Sequence, residues 1–347
     1  MSSAPALVAV LTTIQPPTPA VRELHRRLAE IPARLVVAGD RKGPSAFDLP
    51  GCDFLSLADQ RTSGFALAEL LPVGHYARKN IGYLHAIRAG AACLYETDDD
   101  NAPLPEWGPR VETVAGARRI LPAGNSAAPR WVNVYRHFTA EPQIWPRGFP
   151  LERLADPLPA CVDASAAVRA PVQQGLVNGS PDVDAVWRLT QDRPFDFEAR
   201  APLWLGPGQW CPFNTQSTWW WPAAYPLLYV PSFCSFRMCD IWKSFVAQRC
   251  LWAMGAGMVF HAPEVRQDRN PHDYSRDFRD EVPGYLQNVR MAEILSGLSL
   301  STGEGAVAEN LRACYAALAA GKIFPPEELK LVDAWLADIH SLRKAAR

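Results

Sequence analysis

What most constrains this chain is the way it opens. Leu7 to Ile14 (LVAVLTTI) is a β-branched, almost wholly apolar run, which suits a strand covered by helices on both faces. Val21, Leu24, Leu28 and Ile31 then recur at helical spacing, with charges on the opposite face, and Arg34 to Ala38 (RLVVA) reads as a second strand ending at Gly39 and Asp40. Strand, helix and strand within about 30 residues predict a right-handed βαβ unit of parallel sheet, and hence an α/β fold. Between the first strand and the helix lies Thr12-Thr13-Ile14-Gln15-Pro16-Pro17, which lacks a G-x-G-x-x-G turn. Neither a dinucleotide-binding Rossmann domain nor a P-loop is expected.

Arg78 to Ala91 reads as a further helix, with Gly90 near its end, followed by a short strand over Ala92 to Tyr95. That strand runs straight into Glu96-Thr97-Asp98-Asp99-Asp100-Asn101. Carboxylates thus crowd the carboxyl end of a parallel strand, where open α/β sheets bind ligands. Consecutive aspartates repel one another unless they are solvated, paired with Lys or Arg, or neutralised by a cation. Asp98 and Asp100 could present hard oxygens to Mn²⁺ or Mg²⁺ and leave open positions for two phosphate oxygens of a nucleotide diphosphate. An acidic surface turn is the bland alternative. Arg78 and Lys79 stand at a helix amino terminus, where positive charge and free N–H groups face anions, or where two cations merely balance the aspartates.

Farther along, residues 131–208 are rich in Pro, Arg and aromatics with weak periodicity, which suggests an irregular insert or an acceptor-side subdomain. Leu227 to Pro231 and Met258 to His261 look like strands, with a helix over Asp240 to Met254 between them, and residues 305–320 and 326–345 read as amphipathic helices. The stretch from Phe260 to Asp273 is expected to be a loop. Within it His261 could be a third metal ligand, and Arg266 and Arg269, with Asn270, could clamp donor phosphates; lone histidines are more often satisfied core or surface groups. Asp240 is either an acceptor-side carboxylate, taking a hydroxyl proton or orienting a sugar ring, or a helix-start aspartate. Trp145, Trp219 and Trp220 offer flat apolar faces on which a sugar could stack, although aromatic clusters are more often core.

Composition closes off several classes. Of 347 residues, 35 are Lys or Arg and 36 Asp or Glu, so no global basic field exists to hold nucleic acid or an anionic membrane surface. Eight cysteines without a C-x-x-C pair argue against structural zinc. No signal-like amino terminus and no window of about 20 apolar residues is read, so the expectation is a reduced, cytoplasmic protein with no membrane span. G-x-S-x-G, H-E-x-x-H and kinase signatures are absent.

Several stretches taken in order carry a resemblance: RKNIGYLHAIRAGA with ETDDDNAP, WPRGFPLE, VQQGLVNGSPDVDAVWRLT, PFNTQSTWWW, RMCDIWKSFVAQRCLW and VFHAPEVRQDRNPHD. Over about residues 75–280 the chain resembles the STELLO-type glycosyltransferases and, more distantly, the reversibly glycosylated polypeptides and UDP-arabinopyranose mutases. The resemblance implies a GT-A fold, a nucleotide-binding α/β sandwich whose D-x-D motif binds a divalent metal and the donor diphosphate. It assigns Asp98, Asp99 and Asp100 to the metal motif and Arg78 and Lys79 to the donor side. Thr12, Thr13 and Asp40 fall where such enzymes hold the base and ribose. Arg147, in an R-G-x-P context, matches the self-glycosylated arginine of the mutase-like relatives; in the STELLO group it would bind acceptor or phosphate. The implied division is a transferase domain over residues 1–285, with a donor half to residue 125 and an acceptor half from 126, and a helical extension over 286–347 that serves dimerisation or covers the sheet. The implied activity is metal-dependent hexosyl or pentosyl transfer from a UDP-linked donor to a glycan or other hydroxyl acceptor. The alternatives are a nucleotide-sugar mutase glycosylated at Arg147 and a non-catalytic glycan-binding scaffold. Plant STELLO proteins are membrane-anchored, and no anchor is read here.

Overall fold

Alternation along the opening strand decides how the molecule is layered. In the computed structural model, which describes residues 6–121, 130–268 and 273–345, β1 (Leu7–Thr13) is buried on both faces. Val8 and Val10 join one apolar cluster with Ile81 and Leu84, whereas Leu7, Ala9 and Leu11 join another with Val21, Leu24 and Leu28. Successive side chains of a strand point to opposite faces, so a single apolar run supplies both interfaces of an α/β/α sandwich. One covering layer is α1 (Pro19–Leu28), capped by the Thr18 hydroxyl accepting from Val21 N–H. The other is α4 (Lys79–Arg88). Gly82 lets α4 approach closely, since a Cβ there would stand 2.7 Å from Val10 Cγ1. The expected strand–helix–strand opening is present: β2 (Ala33–Gly39) pairs parallel to β1 in register from Leu7 opposite Ala33 to Thr13 opposite Gly39.

Beyond β2 come β3 (Asp53–Leu55), the short helices α2 (Leu57–Arg61) and α3 (Ala66–Leu70), α4 after a 3₁₀ turn over Tyr76–Arg78, and then β4 (Cys93–Thr97) and β5 (Asn101–Pro103). The middle of the chain supplies short elements: β6 (Thr113–Val114), β7 (Arg118–Ile120), β8 (Arg130–Trp131), β9 (Cys161–Asp163), β10 (Val168–Arg169), the longer β11 (Val172–Gly179), α5 (Ala185–Thr190), β12 (Leu203–Leu205), β13 (Gln209–Trp210) and β14 (Ser217–Trp220). The carboxy-terminal part holds α6 (Cys239–Ala253), β15 (Met258–Gln267), α7 (Tyr274–Ser296), α8 (Val307–Ala320) and α9 (Glu328–Ala345). Among the described residues an 11-stranded mixed sheet runs in the order β3-β2-β1-β4-β14-β11-β15-β12-β7-β9, with β5 pairing on β15. This is the mixed α/β architecture that a GT-A-like fold calls for. β14 lies antiparallel to both β4 and β11, and β11 is parallel to β15. The carboxyl ends of β1, β2, β4, β11 and β15 therefore share one edge of the sheet.

Two expectations are corrected, and one helix is added. Leu227 to Pro231 is not a strand; Pro222–Leu228 is a 3₁₀ segment, in which Pro222 and Pro226 offer no N–H to a ladder. The stretch after Phe260 is not a loop, because β15 continues to Gln267. Its register with β11 shifts between Gly175 and Val177, and that irregularity accommodates Pro263 inside the strand. The 23-residue helix α7 went unread because Pro283 lies within it. Its buried positions Glu281, Gly284, Asn288, Met291 and Leu295 nonetheless follow helical spacing, and the helix runs unbroken through residue 285.

The tail helices close the same core. Tyr315, Leu331 and Trp335 belong to the cluster that contains Ile81 and Phe245. Glu328 accepts from the Phe233 N–H at 2.7 Å and the Ser232 N–H at 3.2 Å, while Asp338 caps α3 through the N–H groups of Ala66 and Leu67. No helix among the described residues is long and apolar enough to cross a membrane.

Candidate active site

The aspartate turn sits where β4 leaves the sheet, and each of its carboxylates takes a different partner. Asp98 Oδ1 accepts from Tyr76 Oη at 2.6 Å and from Lys79 Nζ at 3.0 Å. Lys79 is fully buried and also donates to the Thr97 carbonyl at 2.7 Å, so its charge is spent on the strand end. Asp99 accepts from the Thr13 hydroxyl, and its carbonyl accepts from Thr18, which ties the turn to the end of β1 and the start of α1. Asp100 Oδ2 accepts from Gln267 Nε2 at 2.9 Å, joining the turn to the end of β15. Burial, then repulsion from Asp98, pushes the Asp100 carboxyl up to about 7. Asp99 is raised too, chiefly by burial and against the Thr13 hydrogen bond. Two buried amide oxygens nearby, Asn101 Oδ1 and Gln216 Oε1, have no hydrogen-bond partner among the described residues.

Other donor-side candidates spend their polar atoms on partners within the chain. Thr12 donates to the Ala38 carbonyl at 2.8 Å. Asp40 accepts from the Gly74 and His75 N–H groups, each at 2.8 Å, and so pins the loop that delivers Tyr76. Arg78 donates to Gln60 Oε1 at 2.8 Å and to the carbonyls of Ala68 and Leu71, and burial lowers its pKa. Arg266 pairs with Asp196 at 3.1 Å. Its neighbour Gln267, which points the other way along the strand, is the residue that meets Asp100. Arg269 and Asn270 lie outside the described residues.

Two groups of candidates are placed elsewhere. His261 lies six residues before Gln267, roughly 20 Å back along an extended strand. There it is buried, with Nε2 at 2.8 Å from Gln173 Oε1, and burial holds its pKa well below the usual histidine value. It is not brought to the aspartates, because the expected loop that would have carried it is a strand. Trp219 and Trp220 are fully buried and donate at 2.7 Å to the buried carboxylates of Glu264 and Glu96 respectively. Trp145 is 9% exposed and donates to Asp184 at 2.8 Å. These indoles build the core, and for Trp219 and Trp220 stacking on an acceptor is corrected outright. Their N–H groups found acidic partners inside, as buried indoles do.

Arg147 and Asp240, read from the sequence as acceptor-side candidates, do come together. Arg147 presents its Nε and one terminal nitrogen to Asp182 at 2.7 and 2.9 Å, and both terminal nitrogens to Asp240 at 3.1 and 2.8 Å. A further bond goes to the Arg237 carbonyl, and the guanidinium is buried. Burial works to lower the Arg147 pKa, yet Asp182 and Asp240 outweigh it and hold the group charged. Asp240 is raised by burial, with Arg147 opposing. Gly148, at φ +86°, turns the chain where a Cβ would collide with Ile241, which seats Arg147 against α6. Arg237 is fixed in turn by Glu281 of α7, with Nε–Oε1 at 3.0 Å. Sequence reasoning missed Tyr76, Gln267 and Asp182. Asp182 and Gln267 lay within quoted stretches, VQQGLVNGSPDVDAVWRLT and VFHAPEVRQDRNPHD, whereas Tyr76 lay outside them all.

Comparison with known proteins supports the resemblance. A family model described as STELLO glycosyltransferases matches residues 237–345, a span that takes in α6 through α9. The tail helices, which the motif resemblance left outside, are therefore part of the family's pattern. The Arabidopsis thaliana protein named "Probable glycosyltransferase STELLO2" is 28% identical over 320 residues, covering 88% of this chain and 41% of that protein. "Probable glycosyltransferase STELLO1" from the same plant matches at 28% over the same shares. The chain thus spans about two fifths of the length of these curated relatives. With its ordered motifs and its GT-A-like mixed sheet, this chain is similar to the STELLO-type glycosyltransferases.

Proposed function

We propose that the chain is a metal-dependent glycosyltransferase that moves a hexosyl or pentosyl group from a nucleotide diphosphate donor, UDP-linked, to a hydroxyl acceptor. The observation that carries this reading is the aspartate turn itself. Three successive carboxylates stand at the strand end beside one buried lysine, each turned to a different partner, and the side-chain oxygen of the adjoining Asn101 is buried without a donor. Such a surplus of hard oxygens suits Mn²⁺ or Mg²⁺. Asp98 and Asp100 would hold the cation, which when bound would offset the charge of the departing diphosphate. Thr13 and Lys79 keep the carboxylates aimed, and Asp40 steadies the neighbouring loop. His261 takes no part in this ligand set.

On the acceptor side, Asp240 is the carboxylate that would orient or deprotonate the attacking hydroxyl, and Arg147 and Asp182 hold it in position. Arg147 as a self-glycosylated nucleophile fits less well. Its guanidinium is charged and donates to two carboxylates and a carbonyl, so no nitrogen lone pair is available for attack. Intact mass after incubation with labelled UDP-sugar checks this, and no gain is expected.

Calorimetry with UDP and Mn²⁺ tests the main reading. A metal-dependent heat is expected for the wild type and its loss in Asp98→Asn and Asp100→Asn, with both variants still folded. Undiminished heat in both variants would overturn it, and a wild type that gives none leaves the scaffold alternative standing.

A further inference from the structure

The acceptor half exposes an aromatic ring that only one other ring covers. Phe236 is 58% exposed, and three residues before it Phe233 is 45% exposed, in a protein that buries its tryptophans. An exposed phenylalanine on a mobile tip would mean little, but this loop is fastened along its length. The Phe233 N–H donates to Glu328 at 2.7 Å, the Ser235 hydroxyl donates to the Asp280 carbonyl, and the Cys239 thiol lies 3.1 Å from the Phe236 carbonyl. Arg237 is locked to Glu281, while its own carbonyl takes the Arg147 guanidinium. The fold thus spends five separate contacts on a loop whose aromatic rings face water.

Phe236 also has a position that matters. Its ring meets the Tyr76 ring edge to face at 5.8 Å. The Tyr76 hydroxyl in turn reaches Asp98 at 2.6 Å and neighbours Thr215. An apolar face therefore stands one ring away from the aspartate turn, with hydroxyls and a carboxylate beside it, and its other chain neighbour leads to Arg147 and Asp240. A flat apolar surface bordered by hydrogen-bonding groups matches a sugar ring, which has C–H faces and hydroxyl edges.

We propose that Phe236 is the platform on which a sugar ring of the acceptor stacks, an assignment that rests on the transferase reading above. It replaces the buried tryptophans as the aromatic element of the acceptor site. Because the ring is exposed, its truncation leaves the core intact.

The test uses the full chain on an array of defined oligosaccharides of glucose, galactose, mannose, xylose and arabinose, followed by titration of the tightest binder. Phe236→Ala should weaken that binding about tenfold, the size of one aromatic stacking contact. Phe236→Tyr should restore it, and Phe233→Ala, which lacks the contact with Tyr76, should cost less. Thermal unfolding of Phe236→Ala should match the wild type. Binding that survives Phe236→Ala unchanged, or a wild type that binds none of the glycans, overturns the platform. Titration of the wild type with UDP and Mn²⁺ reports on the donor side separately: its failure would sink the transferase reading, whereas a glycan affinity lost with Phe236 would still establish the platform.

Discussion

Glu96 and Asp98 stand two residues apart on one stretch of chain and meet opposite surroundings. Glu96, still inside β4, is fully buried and bonded to Lys243 Nζ at 2.8 Å, to Trp220 Nε1 at 2.7 Å and to the Tyr83 hydroxyl. Every direction in which its charge could act is answered by the fold. Asp98, past the strand end, is about a quarter exposed and takes the one buried lysine, with two further aspartates directly after it. An acid inside the sheet completes the core, whereas acids at the sheet edge are left with more oxygen than the protein has donors. The same divide separates the fully paired Arg147–Asp182–Asp240 cluster from the aspartate turn. Saturation holds the chain in place at Glu96 and also fixes the orientation of Asp240 beside Arg147, whereas the aspartate turn is where a bound cation would have charge left to offset.

The largest expected effect breaks the saturated side. Lys243→Met would leave Glu96 buried without its cation and should cost about 3–5 kcal/mol of stability in chemical denaturation. Replacing both partners by apolar residues of similar size should cost much less. If the single variant unfolds like the wild type, the buried pair is not what distinguishes the two regions.

A second, smaller effect sharpens the unsaturated side through pH. The folded-state value for Asp100, about 7, lies above its reference of 3.8, so the folded protein binds more protons between those values. Without metal, stability should therefore fall as pH rises from 4 to 7, and Asp100→Asn should flatten part of that slope. Asp184, also raised to about 7 by burial, supplies a share that survives in the variant. The heat of UDP and Mn²⁺ binding should run the opposite way and grow as pH rises through 7, since the carboxylate is the ligand form. Denaturation and calorimetry at matched pH values check both signs.

The smallest effect concerns the tether between the regions. Thr18 both caps α1 and donates to the Asp99 carbonyl. Thr18→Ala should lose about 1 kcal/mol, read by denaturation, and loosen the turn enough to weaken UDP binding modestly.

Much of this organisation was legible in the residues. The β-branched opening run, the stripe at Val21, Leu24 and Leu28, and the aspartates after a buried strand follow from side-chain periodicity and from the cost of burying like charges together. The Asp240 helix was equally readable. What escaped did so for identifiable reasons. Pro263 made β15 look like a loop, when a register shift absorbs it. Pro283 hid α7, whose buried stripe survives the proline. The tryptophan run read as a ligand surface because sequence records that a ring is flat, not which side of a sheet it lies on. Tyr76 and Phe236 lie outside every motif stretch, and Gln267 lies inside one without standing out there; only the meeting of distant segments brings them to notice.

By itself the sequence determined the layered α/β architecture and where along the chain acidic chemistry would gather, because both depend on spacing within one segment. Tertiary structure alone decided which acids are neutralised. That choice turns on whether a lysine, a tyrosine or an amide from another part of the chain reaches each carboxylate, and periodicity along one segment says nothing of what lies across the fold.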